Sequence, residues 1–340
     1  MNRVPVIAVT GYLGAGKTAL LNHLLRTPGA RLGVIVNDFG ELNVDAALVE
    51  GLVDEVASIS GGCLCCLPDS GGLDEALERL SHPHLRLDAI LIEASGAADP
   101  LALARVIRFS GAEHVRPGGL IEVIDAVQHF RTVDVHPTPP ARHRAATLVV
   151  IGKSDLLPEG DRDRVLARIE RRVRARNPDV HLVVAKNGRV DPDLLFDVLA
   201  EGEVQDRLPF AEGLRDMDPD HGEHHHEHAA AVSRELAGPL SPSALLDLLQ
   251  SPPPGVYRMK GRVRVRGPRG DRGYLANLVG GSIHISPLPQ PPCFGELVAV
   301  GMSLDVAQVG AHLDEVLRAP ADRPDVAGLR RLFRYVRLSR

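Results

Sequence analysis

The chain contains no tryptophan, only 3% aromatic residues, and four cysteines in 340 residues. So few rings make a poor stacking platform for single-stranded nucleic acid. A net charge of −5 also lacks the basic footprint of a general nucleic-acid binder. Nucleic acid is therefore disfavoured as a partner. Four cysteines, three of them bunched at 63, 65 and 66, do not make the disulfide framework of a secreted domain, which favours a reducing compartment. No apolar run approaches the roughly 18 residues of a membrane span. The N-terminus, "MNRVPVIAVTGYLG", enters an apolar strand without a charged n-region or a small-residue cleavage site. The expectation is a cytoplasmic protein with no signal peptide and no membrane partner.

What is present is enough for a core. Hydrophobic residues make up 44% of the chain, and its length suits one large or two ordinary domains. The first two hundred residues alternate β-branched runs, "VPVIAVT" (4–10), "LGVIVN" (32–37), "LDAILIE" (87–93), "GGLIEVID" (118–125), "TLVVIG" (147–152) and "VHLVVA" (180–185), with amphipathic segments at 17–26, 72–80, 99–109 and 161–176. That pattern predicts an α/β domain with a mainly parallel sheet. The acidic, histidine-rich stretch "DMDPDHGEHHHEHAAA" (216–231) has almost no large apolar residue and reads as a linker. Beyond it a helix capped by Ser241 at 241–250, short strands at 256–267, 273–280, 282–286 and 296–302, and a helix near 305–318 predict a smaller α+β domain. The expected division is 1–208, a linker over 209–232, and 233–340.

"GYLGAGKT", Gly11 to Thr18, has the spacing G-x-x-x-x-G-K-[ST] between a predicted strand and a predicted helix, the context a phosphate-binding P-loop requires. Gly11, Gly14, Ala15, Gly16, Lys17, Thr18 and Ala19 are the expected nucleotide contacts. Backbone N–H groups face the phosphates, Lys17 neutralises their oxygens, and the Thr18 hydroxyl is offered to Mg²⁺. A second carboxylate at a neighbouring strand end is needed for that ion. "ILIEASG" supplies Glu93, with Gly96 placed to meet the γ-phosphate through its N–H. After a later strand comes "GKSD", Gly152 to Asp155, where GTPases usually carry N-K-x-D. Asp155 would accept the guanine N1–H and 2-amino group, and the Lys153 stem would lie along the base. A buried aspartate left without its donors discriminates far more strongly than one neutral hydrogen bond, so GTP preference is expected, weakened by the amide that Gly152 lacks. "AKNG" (185–188) falls where a guanine-O6 loop is expected.

"GGCLCC" (61–66) remains. Cys65 with Cys66 or Cys63 with Cys65 could close only small strained rings far from relaxed disulfide geometry, whereas Cys63 and Cys66 have C-x-x-C spacing. A soft metal or a Cys63–Cys66 redox pair are the chemical options, with inert buried cysteines as the alternative.

The set "GYLGAGKT", "VNDFGELNVDA" (36–46), "GGCLCC", "IEASGAADP" (92–100) and "GKSD", followed by a histidine-rich linker and "YRMKGRVRV", resembles the CobW-like family of P-loop GTPases over nearly the whole chain. That resemblance implies metal homeostasis and delivery of zinc, or cobalt, to a client metalloprotein under nucleotide control. The departures are Gly152 for Asn, Asp38 where Glu is more frequent, and Ala19 where a second Thr is frequent. Under this reading Cys63, Cys65 and Cys66 hold the transferred metal in an open site. A water, Asp38 or Glu41 would supply the fourth ligand. His221, His224, His225, His226 and His228 would collect metal weakly; a merely solvated linker is the alternative. Arg262, Arg264 and Arg266 make one face of a strand cationic, which is either solvated or docks an acidic client, with nucleic acid the least favoured reading. The competing functions are a nucleotide-gated metal buffer or sensor with incidental hydrolysis, and a small-molecule kinase, which is disfavoured because no acceptor site or lid is evident. A homo-oligomer stays open.

Overall fold

The structure is a computed structural model that describes residues 3–37, 55–59, 71–96, 98–185, 188–196, 229–236, 238–302, 304–317 and 325–339. It divides into two units, Met1–Leu199 and Ala200–Arg340. Among the described residues no helix is long and apolar enough to cross a membrane.

The first unit is a seven-stranded sheet in the order β3-β2-β4-β1-β5-β6-β7. The strands are β1 (Val4–Gly11), β2 (Leu32–Asn37), β3 (Glu55–Ile59), β4 (Ala89–Glu93), β5 (Val115–Asp125), β6 (Leu148–Gly152) and β7 (His181–Val184). Every neighbouring pair is parallel. Both faces of the central strands are covered, which is why β4 and β6 are buried at all five positions and read as unbroken apolar runs rather than alternating ones. Helices α1 (Lys17–Leu24), α2 (Gly71–Leu80), α3 (Pro100–Arg108), α4 (His129–Thr132) and α5 (Glu159–Arg174) lie between them in the chain. The α3 helix shows how its start is encoded. Asp99 takes the N-cap position, its carboxylate accepts the Leu101 N–H at 2.9 Å, and Pro100 opens the first turn where a missing N–H costs nothing. Leu103 and Ile107 then fall one turn apart on the buried face.

The second unit holds a five-stranded antiparallel sheet in the order β11-β10-β9-β12-β8. Its strands are β8 (Ala229–Leu236), β9 (Arg258–Val265), β10 (Arg272–Val279), β11 (Ser282–Pro287) and β12 (Gly295–Met302), and its helices are α6 (Pro242–Gln250), α7 (Val306–Leu317) and α8 (Val326–Leu338). On β9, Met259, Val263 and Val265 are fully buried while Lys260, Arg262 and Arg264 are half-buried, the period of two that a sheet imposes. Asp271 answers part of that cationic stripe, lying 2.9 Å from Arg266 and 3.6 Å from Arg264.

Two details differ from the sequence reading. The strand β8 begins at Ala229, inside the stretch 209–232 read as linker; residues 209–228 lie outside the described part. Ser241 occupies the N-cap of α6 but its side chain makes no cap bond. Asp325 supplies it instead: one carboxylate oxygen accepts the Gly328 N–H at 2.8 Å and caps α8, and the other accepts the Ser243 N–H and the Ser241 hydroxyl, both at 3.1 Å. These bonds hold the Asp325 carboxyl down at about 2. The basic tail "RRLFRYVRLSR" is largely the second half of α8, whose Leu329, Leu332 and Val336 enter the core.

Candidate functional site

The carboxyl ends of parallel strands are where an open α/β sheet exposes backbone N–H groups and binds ligands. Here β1 ends in Gly11, β4 in Glu93, β5 in Asp125 and β6 in Gly152, so the motifs found in sequence converge on one edge.

The turn after β1 is built by three glycines at positive φ, Gly11 at 152°, Gly14 at 74° and Gly16 at 102°. A Cβ on Gly11 would stand 2.6 Å from the Val123 carbonyl oxygen, so the turn admits no side chain there. The Ala15 N–H bonds the Tyr12 carbonyl at 3.0 Å and tightens the loop. Gly16 then serves as the N-cap of α1 with no side-chain cap, and the first turn has no acidic residue. Its N–H groups and the positive end of the helix dipole suit an anion. Lys17 is buried beside this turn, its Nζ donating to the carbonyls of Gly11 (3.2 Å) and Tyr12 (3.4 Å).

The Thr18 hydroxyl donates to Oε1 of Glu93 at 2.8 Å. Glu93 is 4% exposed and sits opposite Val9 in the β1–β4 ladder, so the sheet register sets this distance. A buried carboxylate and a hydroxyl touching each other beside a lysine and an uncapped helix start are oxygen donors of the kind Mg²⁺ prefers. The residues present therefore fit that ion. Gly96 lies directly against the phosphate loop: a Cβ on it would be 2.7 Å from the Leu13 nitrogen and 3.0 Å from the Leu13 Cα. Only glycine lets the two backbones approach this closely.

On the other side of the loop, Lys153 begins the short 3₁₀ turn Ser154–Leu156. Its Nζ donates to the Gly14 carbonyl at 2.5 Å and to Oδ2 of Asp125 at 2.8 Å. Asp155, in the turn itself, is exposed at the same edge of the sheet. The segment after β7 reaches α1: a Cβ on Gly188 would stand 3.8 Å from the Ala19 Cβ, and the His23 ring bonds the Val190 carbonyl at 2.8 Å. The P-loop, Thr18, Glu93, Gly96 and Lys153 are thus brought together. Cys63, Cys65, Cys66, Asp38, Glu41, His221, His224, His225, His226 and His228 lie outside the described residues. Among the described residues no group of three or more histidines, cysteines or acids is arranged to hold a metal ion.

Two features escaped the sequence reading. Asp125 is a strand-end acid like Glu93, and that position was the available signal. Behind the loop, a cavity of about 240 Å³ is lined by Tyr12 to Ala15, Asp125, Lys153, the buried Glu122 and His129, and the partly buried Arg142. Glu122 bonds His143 at 2.8 Å and forms an ion pair with Arg142 at 2.9 Å. Burial, aided by the neighbouring His143, pushes His129 down to about 4. No motif announces these residues, because their partners come from distant parts of the chain.

This fold and edge define a P-loop nucleotide-binding protein. The chain belongs to the family described as CobW/HypB/UreG, nucleotide-binding domain, which it matches over residues 5–182. Residues 229–317 match the Cobalamin synthesis protein cobW C-terminal domain. Similar proteins include "Zinc chaperone CobW" of Sinorhizobium sp, 29% identical over 303 residues that span 78% of this chain and 82% of that protein. "Zinc chaperone YjiA" of Escherichia coli is 30% identical over 205 residues, 58% of this chain and 62% of that protein. The crystal structure of Zn(II)-bound YjiA GTPase from E. coli is 20% identical, covering 93% of this chain and 99% of that chain with a TM-score of 0.43.

Proposed function

We propose that the protein is a GTP-hydrolysing metal chaperone. The observation that carries the nucleotide half is the Thr18–Glu93 contact beside the Lys17 turn. The phosphate loop binds the β- and γ-phosphates through its backbone and Lys17, and Gly96 faces the γ-phosphate. Thr18 and Glu93 would hold Mg²⁺, which supplies electrostatic stabilisation of the charge that develops on the phosphate oxygens. Asp155 reads the guanine edge and Lys153 supports the base. The family match and the zinc-chaperone names of the similar proteins support the metal half. On that reading Cys63, Cys65 and Cys66 carry zinc, with a water, Asp38 or Glu41 completing the site, the histidines at 221–228 collect metal, and a client metalloprotein receives it. Cobalt is the alternative cargo, since three thiolates accept both ions. The division into a GTPase domain up to about residue 208, a linker and a C-terminal domain follows the same reading.

The test is GTP and ATP turnover by the purified chain with and without added zinc, together with metal analysis of wild type and Cys65→Ser. The expected result is Mg²⁺-dependent turnover that prefers GTP, and tight zinc that Cys65→Ser loses. Turnover without nucleotide preference, or zinc retained by the serine variant, would contradict the proposal.

A further inference from the structure

The phosphate loop and the base-reading turn come from chain segments more than a hundred residues apart, and the way they are joined is specific. At the sheet edge Asp125 pairs with Gly152, and the Ala126 N–H bonds the Gly152 carbonyl at 3.0 Å, so β5 and β6 end side by side. The two oxygens of Asp125 then do different work. Oδ1 accepts the N–H groups of Val127 (2.8 Å) and Gln128 (3.0 Å), which closes the turn after β5. Oδ2 accepts the Lys153 ammonium at 2.8 Å.

Lys153 itself is in the left-handed region, at φ 59° and ψ 22°. Arg86 is the one other non-glycine residue with positive φ among the described residues. That conformation is unfavourable for a residue with a Cβ and persists where its surroundings enforce it. Here the ammonium lies 2.5 Å from the Gly14 carbonyl of the phosphate loop. Position 152 points the same way, since a Cβ there would begin 3.9 Å from the Ala15 carbonyl oxygen, but glycine offers no polar group to reach it. The side-chain attachment between turn and loop at these two positions therefore falls to Lys153. Its side chain is 36% exposed, so without an anchor it has the freedom to leave. The Asp125 side chain, 13% exposed, is that anchor.

We infer that Asp125 is a positioning residue for nucleotide recognition: by holding the Lys153 ammonium against Gly14 it fastens the base-reading turn to the phosphate loop. The inference rests on the reading of residues 152–155 as the base loop. Asp125 does not touch the nucleotide and acts through Lys153, so its effect requires that lysine.

The experiment is a double-mutant cycle on the full chain, with equilibrium affinities for fluorescent GDP and ADP analogues measured for wild type, Asp125→Asn, Lys153→Met and the double variant. Asparagine keeps an oxygen for the Val127 and Gln128 N–H groups and removes only the charge. Asp125→Asn is expected to weaken GDP about tenfold, the scale of one charge-assisted hydrogen bond, and to lower the GDP-over-ADP ratio. The double variant should bind GDP within about twofold of Lys153→Met. Full additivity, or unchanged GDP binding by Asp125→Asn, would overturn the inference. Should the asparagine variant fail to fold, Asp125→Ser, whose hydroxyl oxygen still accepts from the turn, gives the same comparison. A wild-type chain that binds GDP and ADP alike refutes the base reading alone, and the GDP cycle then decides the Asp125–Lys153 coupling by the same criterion.

Discussion

The Thr18 hydroxyl and the Glu93 carboxylate stand 2.8 Å apart although 75 residues separate them, because β1 and β4 are hydrogen-bonded neighbours whose ends are in register. In the proposed GTPase both contribute to one ion-binding environment. Thr18→Ala and Glu93→Gln should each raise the Mg²⁺ concentration needed for half-maximal GTP turnover by about 10- to 100-fold, the usual cost of losing a supporting group around a metal. A Mg²⁺ titration of each variant measures this, and an unshifted curve would remove that residue from the site.

Asp155 is exposed at the same edge, free to meet a base. Asp155→Asn should erase the preference for GTP over ATP while leaving the shared phosphate contacts intact. Competition of the two nucleotides against a fluorescent guanine analogue reads the ratio directly. A preference undiminished in the variant would place base reading elsewhere.

Asp325 predicts an acid-sensitive second unit. Its carboxyl is held down at about 2 by the bonds to Ser243, Gly328 and Ser241. A group whose folded value is depressed contributes stability above its unfolded value, and loses that contribution as pH falls from about 4 toward 2. Asp325→Ala should destabilise this unit by about 1 to 2 kcal/mol, the range for a lost helix cap, and flatten the acid dependence. Denaturant unfolding at neutral and acid pH checks both.

His129 predicts a loss in the first unit at milder pH. Burial depresses its folded value to about 4, so the unfolded chain binds the proton more readily below about pH 6.5. Stability should fall as pH is lowered from about 6.5 to 4, by an amount on the order of 3 kcal/mol at the lower end. The ionisable groups facing the ring are His143, Asp134, Glu122 and Arg142. Replacement by phenylalanine should remove most of it, as unfolding of the two proteins across that range would show.

The parallel sheet was legible because its inner strands are continuous β-branched runs bounded by glycines and acids. The edge strand β3, "EVASI", was not: five residues with a Glu and a Ser lack that pattern, and an edge position tolerates it because among the described residues one side is unpaired. That Lys17, Thr18 and Glu93 meet at one edge was legible because the P-loop motif has a fixed spacing and Glu93 ends an apolar strand run. Asp125, Glu122, His129 and His143 were not, because their roles depend on which strand ends and turns meet in space. Asp325 was hidden for the same reason, as the N–H it accepts at the start of α6, that of Ser243, lies 82 residues before it.

The central claim is that nucleotide state and metal holding are linked in one protein. Metal affinity should be measured for the full chain loaded with a non-hydrolysable GTP analogue and with GDP, for wild type and for Cys65→Ser. Coupling of the usual size would make the two nucleotide states differ by roughly 5- to 150-fold, and by reciprocity metal would change the relative affinity for the two nucleotides by the same factor. The predicted result is a difference within that range in wild type and loss of tight binding in the serine variant. Equal metal affinity in both nucleotide states, or tight binding that survives the serine change, would contradict the claim.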